Sequence, residues 1–339
     1  MTQSRLSTGA LGAFLALWSV TALSQTLTVS MWVPPQHVFY RDVFQPLGAD
    51  LEKATSGRVK FSFLAKAVAA PQGTADAVRD GLADISFIIH GFTPGRFPLT
   101  KLAEIPLLSD SSETLSVAYH RVYEKHFASA NEHKGLKVLA MFTLTPTQIM
   151  TKSKPVRSLA DLSGTKLRVA GGISADVAGA LGATPVVKPV TDTYELLAGG
   201  VVDGTVIPVE GYALFNLKGQ IRHVTIIPGG MGNTSVAAIM NPDAFNRLST
   251  EDRSAFERLL GEALARRAGN AEDRVSRDGR DAIVKDGIAI GNADPSLLEA
   301  IRTKSADVER AWLAEAKARG ADGAKALADL REEIRRAAR

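Results

Sequence analysis

Histidines stand at positions 37, 90, 120, 126, 133 and 223, and none falls in the H-E-x-x-H spacing that sets two imidazoles and a general base on one helix face. His120 and Glu124 lie one helical turn apart, close enough to share a metal, but their segment YHRVYEKHF is polar and reads better as a solvated helix face. The chain has no cysteine, which removes thiolate nucleophiles, zinc knuckles and iron–sulfur clusters and leaves the redox compartment open. Neither a G-x-S-x-G elbow nor a P-loop is present. Gly171-Gly172 follows an apolar run as a dinucleotide loop does, yet the later glycines miss the G-x-G-x-x-G spacing and no suitably placed acidic residue follows. No cofactor and no metal are expected. Arg168 is different, because it stands between Leu167 and Val169 near the end of an apolar run that leads into those glycines. There a guanidinium can grip a carboxylate through two parallel charge-assisted hydrogen bonds. A structural ion pair fits the same local pattern.

The elements that must position such a residue alternate. Short Val-, Ile- and Phe-rich runs at 27–33, 59–64, 85–89 and 166–170 are separated by segments of helical period at 41–56 and 72–82, the pattern of an α/β fold. An internal echo adds to this: AVRDGLADISF at 77–87 and ELLAGGVVDGTVI at 195–207 both run helix, glycine, two residues, aspartate, strand, with Gly81 matching Gly200 and Asp84 matching Asp203. A helix stopped by a left-handed glycine and turned back into a parallel sheet has this form, and two copies suggest two sheets and two lobes. The last third is rich in charge. A segment at 250–286 with Phe256, Leu259, Leu260, Ala263 and Leu264 on one stripe, then helices at 295–319 and 324–338, read as solvated helices clamped onto the lobes.

With 339 residues, 45% apolar and 22% charged, the chain can bury a large core in one or two domains. Its formal charge of +4, from 40 Lys+Arg against 36 Asp+Glu, is too small and scattered for a nucleic-acid surface. No charged side chain lies between Arg5 and Arg41, and Gly9 to Leu23 is an apolar run shorter than the roughly 20 residues a membrane span needs. Ending in the small-x-small series Ala22, Leu23, Ser24, the run reads as a secretory signal peptide over residues 1–24, cleaved before Gln25, which places the mature chain in the periplasm.

The succession TSGR at 55–58, VRDGLADI at 78–85, FTPGRFPL at 92–99, SLADLSGTKLRV at 158–169, LGATPV at 181–186, TYELLAGGVVDG at 193–204 and MNPDAFNRL at 240–248 resembles the DctP-type solute-binding proteins of tripartite ATP-independent periplasmic (TRAP) transporters. The likeness runs in order along nearly all of the mature chain. It implies a two-lobed α/β periplasmic binding protein of type II-like architecture, with crossing strands, a long interdomain helix and extra C-terminal helices. The lobes implied are 25–148 plus about 236–275, and 149–235 plus about 276–339. It implies an organic-acid ligand, a TRAP membrane permease as partner and, through the G-x-K-x-R-V segment, Arg168 as the residue that binds the ligand carboxylate.

Sialate-type members of the family carry an Arg shortly before the K-P-V segment and an Asn just before the Pro that follows V-D-G, whereas this chain has Thr147 and Gln148 near the first position and Ile207 at the second. One carboxylate anchor remains, so the expected ligand is a monocarboxylate with an apolar or aromatic body. Trp32, His90, Phe92, Gln148, Met150, Glu210 and Tyr212 lie where strands deliver residues to the cleft of open α/β sheets and complete the expected site. Glu210 is expected to orient Arg168 or bind a ligand hydroxyl, and to disfavour a dianion. A monomer or weak dimer is expected. Two other readings share the cleft: a ligand sensor for a signalling partner, and a periplasmic enzyme using His90 and Glu210 as its acid and base.

Overall fold

The computed structural model describes residues 24–337, so the expected leader lies outside the described residues except for Ser24. Among the described residues eleven strands follow one another: β1 Gln25–Val29, β2 Val59–Phe63, β3 Ile85–Ile89, β4 Lys137–Thr143, β5 Gln148–Thr151, β6 Lys166–Val169, β7 Thr184–Val187, β8 Gly204–Ile207, β9 His223–Ile226, β10 Ser235–Met240 and β11 Ala289–Asn292. They form a five-stranded sheet ordered β2-β1-β3-β10-β4 and a six-stranded sheet ordered β11-β9-β5-β8-β6-β7. Parallel pairs with helices on their faces make the first part of each sheet, and β3 is accordingly apolar and buried along nearly its whole length. The chain passes from the first sheet to the second between β4 and β5, and back between β9 and β10, which lies antiparallel to β3 and β4.

The echo in the sequence is an echo in space. Gly81 and Gly200 take φ of +78° and +69°, so both are the left-handed helix stops that glycine tolerates without steric cost. The matched aspartates then do one job in each sheet. Asp84 Oδ2 accepts the Thr28 backbone N–H of β1 at 2.7 Å, and Asp203 Oδ2 accepts that of Lys166 in β6 at 2.9 Å. Each carboxylate ties the start of its own strand to the parallel strand beside it.

The charged segment 250–286 is two helices, Thr250–Glu257 and Glu262–Lys285, parted at Gly261, whose φ is +62° and whose N–H donates to Leu139 O of β4 at 2.8 Å. The longer one buries Leu264, Ala265, Ala268 and Ala271 in the core that includes Leu139, Ala140 and Phe142 of β4, packs on the helix Ser112–Val122, and contacts the helix Gly211–Leu214 that follows β8. It therefore spans both sheets. His120 is not on a solvated face: it is buried in the helix Ser112–Val122, and burial, which outweighs the pull of Glu124 and Glu262, lowers its pKa. Among the described residues no cluster of acidic or histidine side chains could hold a metal ion. The helix Pro295–Ala318 packs on Ile173–Ala180, with Trp312 Nε1 donating to Pro98 O at 3.0 Å, and the helix Gly323–Ala337 packs on Ser112–Val122. These terminal helices bury Leu297, Ile301, Trp312, Leu327 and Leu330, so they extend the core as well as covering it.

The long helix approaches its neighbour through a glycine. A Cβ on Gly269 would lie 2.5 Å from Glu113 Cα and 2.6 Å from Ser112 O. Gly269→Ala should therefore lower the free energy of unfolding by about 1–3 kcal/mol through overpacking, even though alanine favours a helix by nearly 1 kcal/mol. Urea unfolding checks this, and an unchanged or raised stability contradicts it.

Candidate functional site

Arg168 owes its position to strand alternation. Leu167 and Val169 point into the hydrophobic core on one face of β6, and Arg168 points to the other face, where it is 1% exposed. Its Nε donates to Lys188 O at 2.8 Å, while Nη2 is buried without a partner. Burial pulls the guanidinium pKa down to about 9 against the smaller opposing pull of Asp192, so the group is still charged at neutral pH. A buried cation with an unused donor is costly unless an anion meets it.

Arg168 lines a cavity between the two sheets, with about 620 Å³ of atom-free space including the solvent at its mouth. Trp32 follows β1, Phe87 and Phe92 come from β3 and the turn after it, Ile207 and Glu210 end β8 or follow it, and Phe215 closes the helix Gly211–Leu214. These are the carboxyl ends of strands, where open α/β sheets bind ligands. The walls are mostly aromatic and aliphatic. Trp32 and Phe87 pack with ring centroids 4.6 Å apart, and Trp32 and Phe92 at 6.0 Å.

Polar groups in this lining are few. His37 Nδ1 accepts the Phe39 N–H at 3.2 Å, and burial, helped by nearby Arg41, holds its pKa near 4, so the ring is neutral with its proton on Nε2. Glu210 and Glu272 also line the cavity, with their carboxyl groups close enough to influence each other's titration. Thr145 Oγ1 donates to Glu210 Oε1 at 2.9 Å and Oε2 at 3.0 Å. Burial raises both carboxyl pKa values, and the negative charge of Glu210 raises that of Glu272 further.

Of the expected site residues, the structure brings Arg168, Trp32, Phe92 and Glu210 together around this space. Gln148, Met150 and Tyr212 are not among its lining residues. Gln148 instead accepts the Ile227 N–H at 2.7 Å and braces the crossing segment, Met150 is core, and Tyr212 Oη donates to Asp286 at 2.9 Å. His90 faces a second space on the far side of Gly91 and Gly171. It belongs to a buried chain in which Ser235 Oγ donates to Glu104 Oε1 at 2.6 Å, His90 Nδ1 donates to Ser235 Oγ at 3.1 Å, and His133 Nε2 donates to His90 Nε2 at 2.9 Å. Ser235 has only one proton, so the direction of the whole chain follows from its bond to Glu104.

Sequence reasoning missed His37, Glu104 and Glu272. Glu272 had a signal: with Leu264 and Ala268 it stands at i, i+4 and i+8, a carboxylate on an apolar stripe. The paired glycines after β6 serve packing. They do not leave open space, for a Cβ on Gly171 would lie 2.5 Å from Gly91 O and one on Gly172 2.2 Å from Glu104 Oε2. They let the turn after β6 pack against the segment that follows β3.

The family model of DctP, bacterial extracellular solute-binding protein, family 7, matches residues 29–315. The chain belongs to this family. Its fold is the two-lobed α/β fold of the TRAP solute-binding proteins. A TRAP periplasmic solute binding protein from Bordetella bronchiseptica, solved with (R)- and (S)-mandelate bound, superimposes with a TM-score of 0.90 at 44% identity, over 92% of this chain and 99% of that one. A marine metagenome TRAP solute binding protein specific for aromatic acid ligands, in complex with 3-hydroxybenzoate, has a TM-score of 0.86 at 29% identity, over 93% and 99%. The outer membrane transporter protein TsaT of Comamonas testosteroni is 31% identical over 328 residues, 95% of each chain. In this DctP-family chain no helix among the described residues is long and apolar enough to cross a membrane.

Glu104 gives the DctP-family chain a pH signature. It bridges Ser235 of β10 and the Ile173 N–H at the start of the helix Ile173–Ala180, and burial raises its pKa from 4.5 to about 7. A carboxyl with a raised folded pKa favours the folded state below its unfolded value, and that contribution is lost as pH rises through the folded one. The stability of Glu104→Gln relative to the unsubstituted protein should therefore improve between pH 4.5 and about 7. Chemical unfolding across that range measures it, and a constant difference contradicts it.

Proposed function

We propose that this protein is the periplasmic receptor of a TRAP transporter for aromatic monocarboxylates, holding the ligand carboxylate on Arg168 and the ring among Trp32, Phe87, Phe92 and Phe215. The observation that carries this reading is the buried, unpartnered Nη2 of Arg168 in a cavity whose other walls are mostly apolar. His37 Nε2 supplies a neutral donor to the same space, and Ile207 replaces a polar group at the ligand's far end. The relatives solved with mandelate and with 3-hydroxybenzoate, at 44% and 29% identity, support an aryl acid over a sugar or a short dicarboxylate.

The lobes proposed follow the sheets, residues 25–148 with about 236–275 and residues 149–235 with about 276–339. The helix Gly323–Ala337 reaches across to Ser112–Val122 as a strap on the first lobe. The lobes close when the ligand's charge neutralises Arg168, because closing without it leaves a cation buried and unpaired. Micromolar affinity corresponds to about 8 kcal/mol, within reach of one bidentate ion pair plus burial of an aromatic ring and still weak enough for release to a permease. The protein acts as a monomer or weak dimer, delivers its ligand to the membrane permease and turns nothing over. The acid–base pair an enzyme would need is not assembled, since His90 and Glu210 face different cavities.

Arg168→Met tests the reading. Thermal unfolding with mandelate at about 100 times its Kd should stabilise the unsubstituted protein by about 2.7 kcal/mol, and the variant by almost nothing. The ligand-free variant should be as stable as the parent or more so, because a desolvated charge is gone. A full ligand-induced shift in the variant refutes the assignment.

A further inference from the structure

The acid pair Glu210–Glu272 is a large polar investment in an otherwise apolar cavity, and neither packing nor the binding of a carboxylate explains it. Glu210 comes from the turn after β8 and Glu272 from the long helix that spans both sheets, and the two meet beside the space lined by Arg168. Gly279 makes the meeting possible, since a Cβ there would lie 2.4 Å from Glu210 Cα. Two buried carboxyl groups this close do not both ionise, so the pair keeps a proton between them. Asp273, next along the helix, adds negative potential that favours keeping it.

Hydrogen-bond accounting then leaves an acceptor over. Glu210 already accepts from Thr145 on both oxygens, and Glu272 has no partner among the described residues other than Glu210. If the shared proton lies between the two acids, the remaining oxygen of Glu272 has no donor. The free donors on Arg168 and His37 suit the ligand's carboxylate, the Thr234 hydroxyl in the same lining can donate or accept, and the acceptor left on Glu272 suits a donor on the ligand.

We propose that the Glu210–Glu272 pair is the second recognition point of this site, accepting a hydrogen bond from a ligand hydroxyl and so selecting hydroxylated aryl monocarboxylates over their deoxy analogues and over dicarboxylates. The inference rests on the aryl-acid reading above. A deoxy ligand leaves the buried acceptor unpaired, and a second carboxylate brings like charge against the acid pair.

Calorimetric titration with mandelate, phenylacetate and 2-fluoro-2-phenylacetate separates the cases. The fluoro acid keeps the size and polarity of the substituent without a proton to donate. Mandelate should bind the unsubstituted protein about 10- to 100-fold more tightly than either of the others. In Glu272→Met the ratio should fall to about one with phenylacetate binding retained, since an apolar chain of similar length leaves no acceptor to satisfy. Equal binding of mandelate and the fluoro acid overturns the proposal and needs no variant, so the test stands even where Glu272→Met fails to fold. A preference for mandelate that survives in Glu272→Met also overturns it, while leaving the aryl-acid reading in place. Failure of all three acids to bind the unsubstituted protein overturns both.

Discussion

A guanidinium removed from water with one of its donors unused is the condition around which the molecule is arranged. Arg168 sits on β6 between the parallel strands β7 and β8, held at Nε by a backbone carbonyl and unpartnered at Nη2 in the lining of the cavity between the sheets. The unfolded chain would hydrate that charge fully, so the fold carries a cost here that its apolar core must offset. Such a cost is tolerated where a ligand of opposite charge relieves it, and the relief is available only to an anion that reaches the cavity. On the proposed function, specificity for an acid and the drive to close on it have one origin.

The rest of the site supports that arrangement from both sheets. Strand alternation turns Arg168 away from Leu167 and Val169, and the turn that follows packs through Gly171 and Gly172 against Gly91 and Glu104. Glu104 in turn anchors the helix after that turn and, through Ser235, the line of His90 and His133. His90 thus braces the junction of the two sheets from behind the cavity. On the other side Glu210, after β8, and Glu272, on the long helix, line the same cavity, so a cation and a pair of acids face a common, mostly apolar space. Arg168 is held by β6 of the second sheet, and Glu272 by the long helix that spans both sheets.

Much of this was legible in the residue order, and for physical reasons. Gly81 and Gly200 with their aspartates announced two sheets with parallel strand pairs, because a left-handed stop followed by a carboxylate that ties neighbouring strands needs those residue types. Arg168 was visible as a charge in an apolar strand. The aromatic wall was partly visible from strand ends at Trp32 and Phe92. What stayed hidden depends on long-range packing. Gln148, Met150 and Tyr212 occupy plausible strand-end positions, but pleat and crossing geometry turn them into the backbone brace and the core. Glu104 lies in a short irregular helical stretch with no period to mark it, and its partners Ile173 and Ser235 are far away in the chain. The break at Gly261 was hidden by charge on both sides, although its N–H is needed by β4.

The central claim is most directly tested by the crystal structure of the protein with an aryl monocarboxylate bound. This account predicts a carboxylate oxygen at about 2.7–2.9 Å from Arg168 Nη2, with the ring against Trp32 and Phe92. A ligand seated elsewhere, with Nη2 still unpartnered behind it, would contradict it.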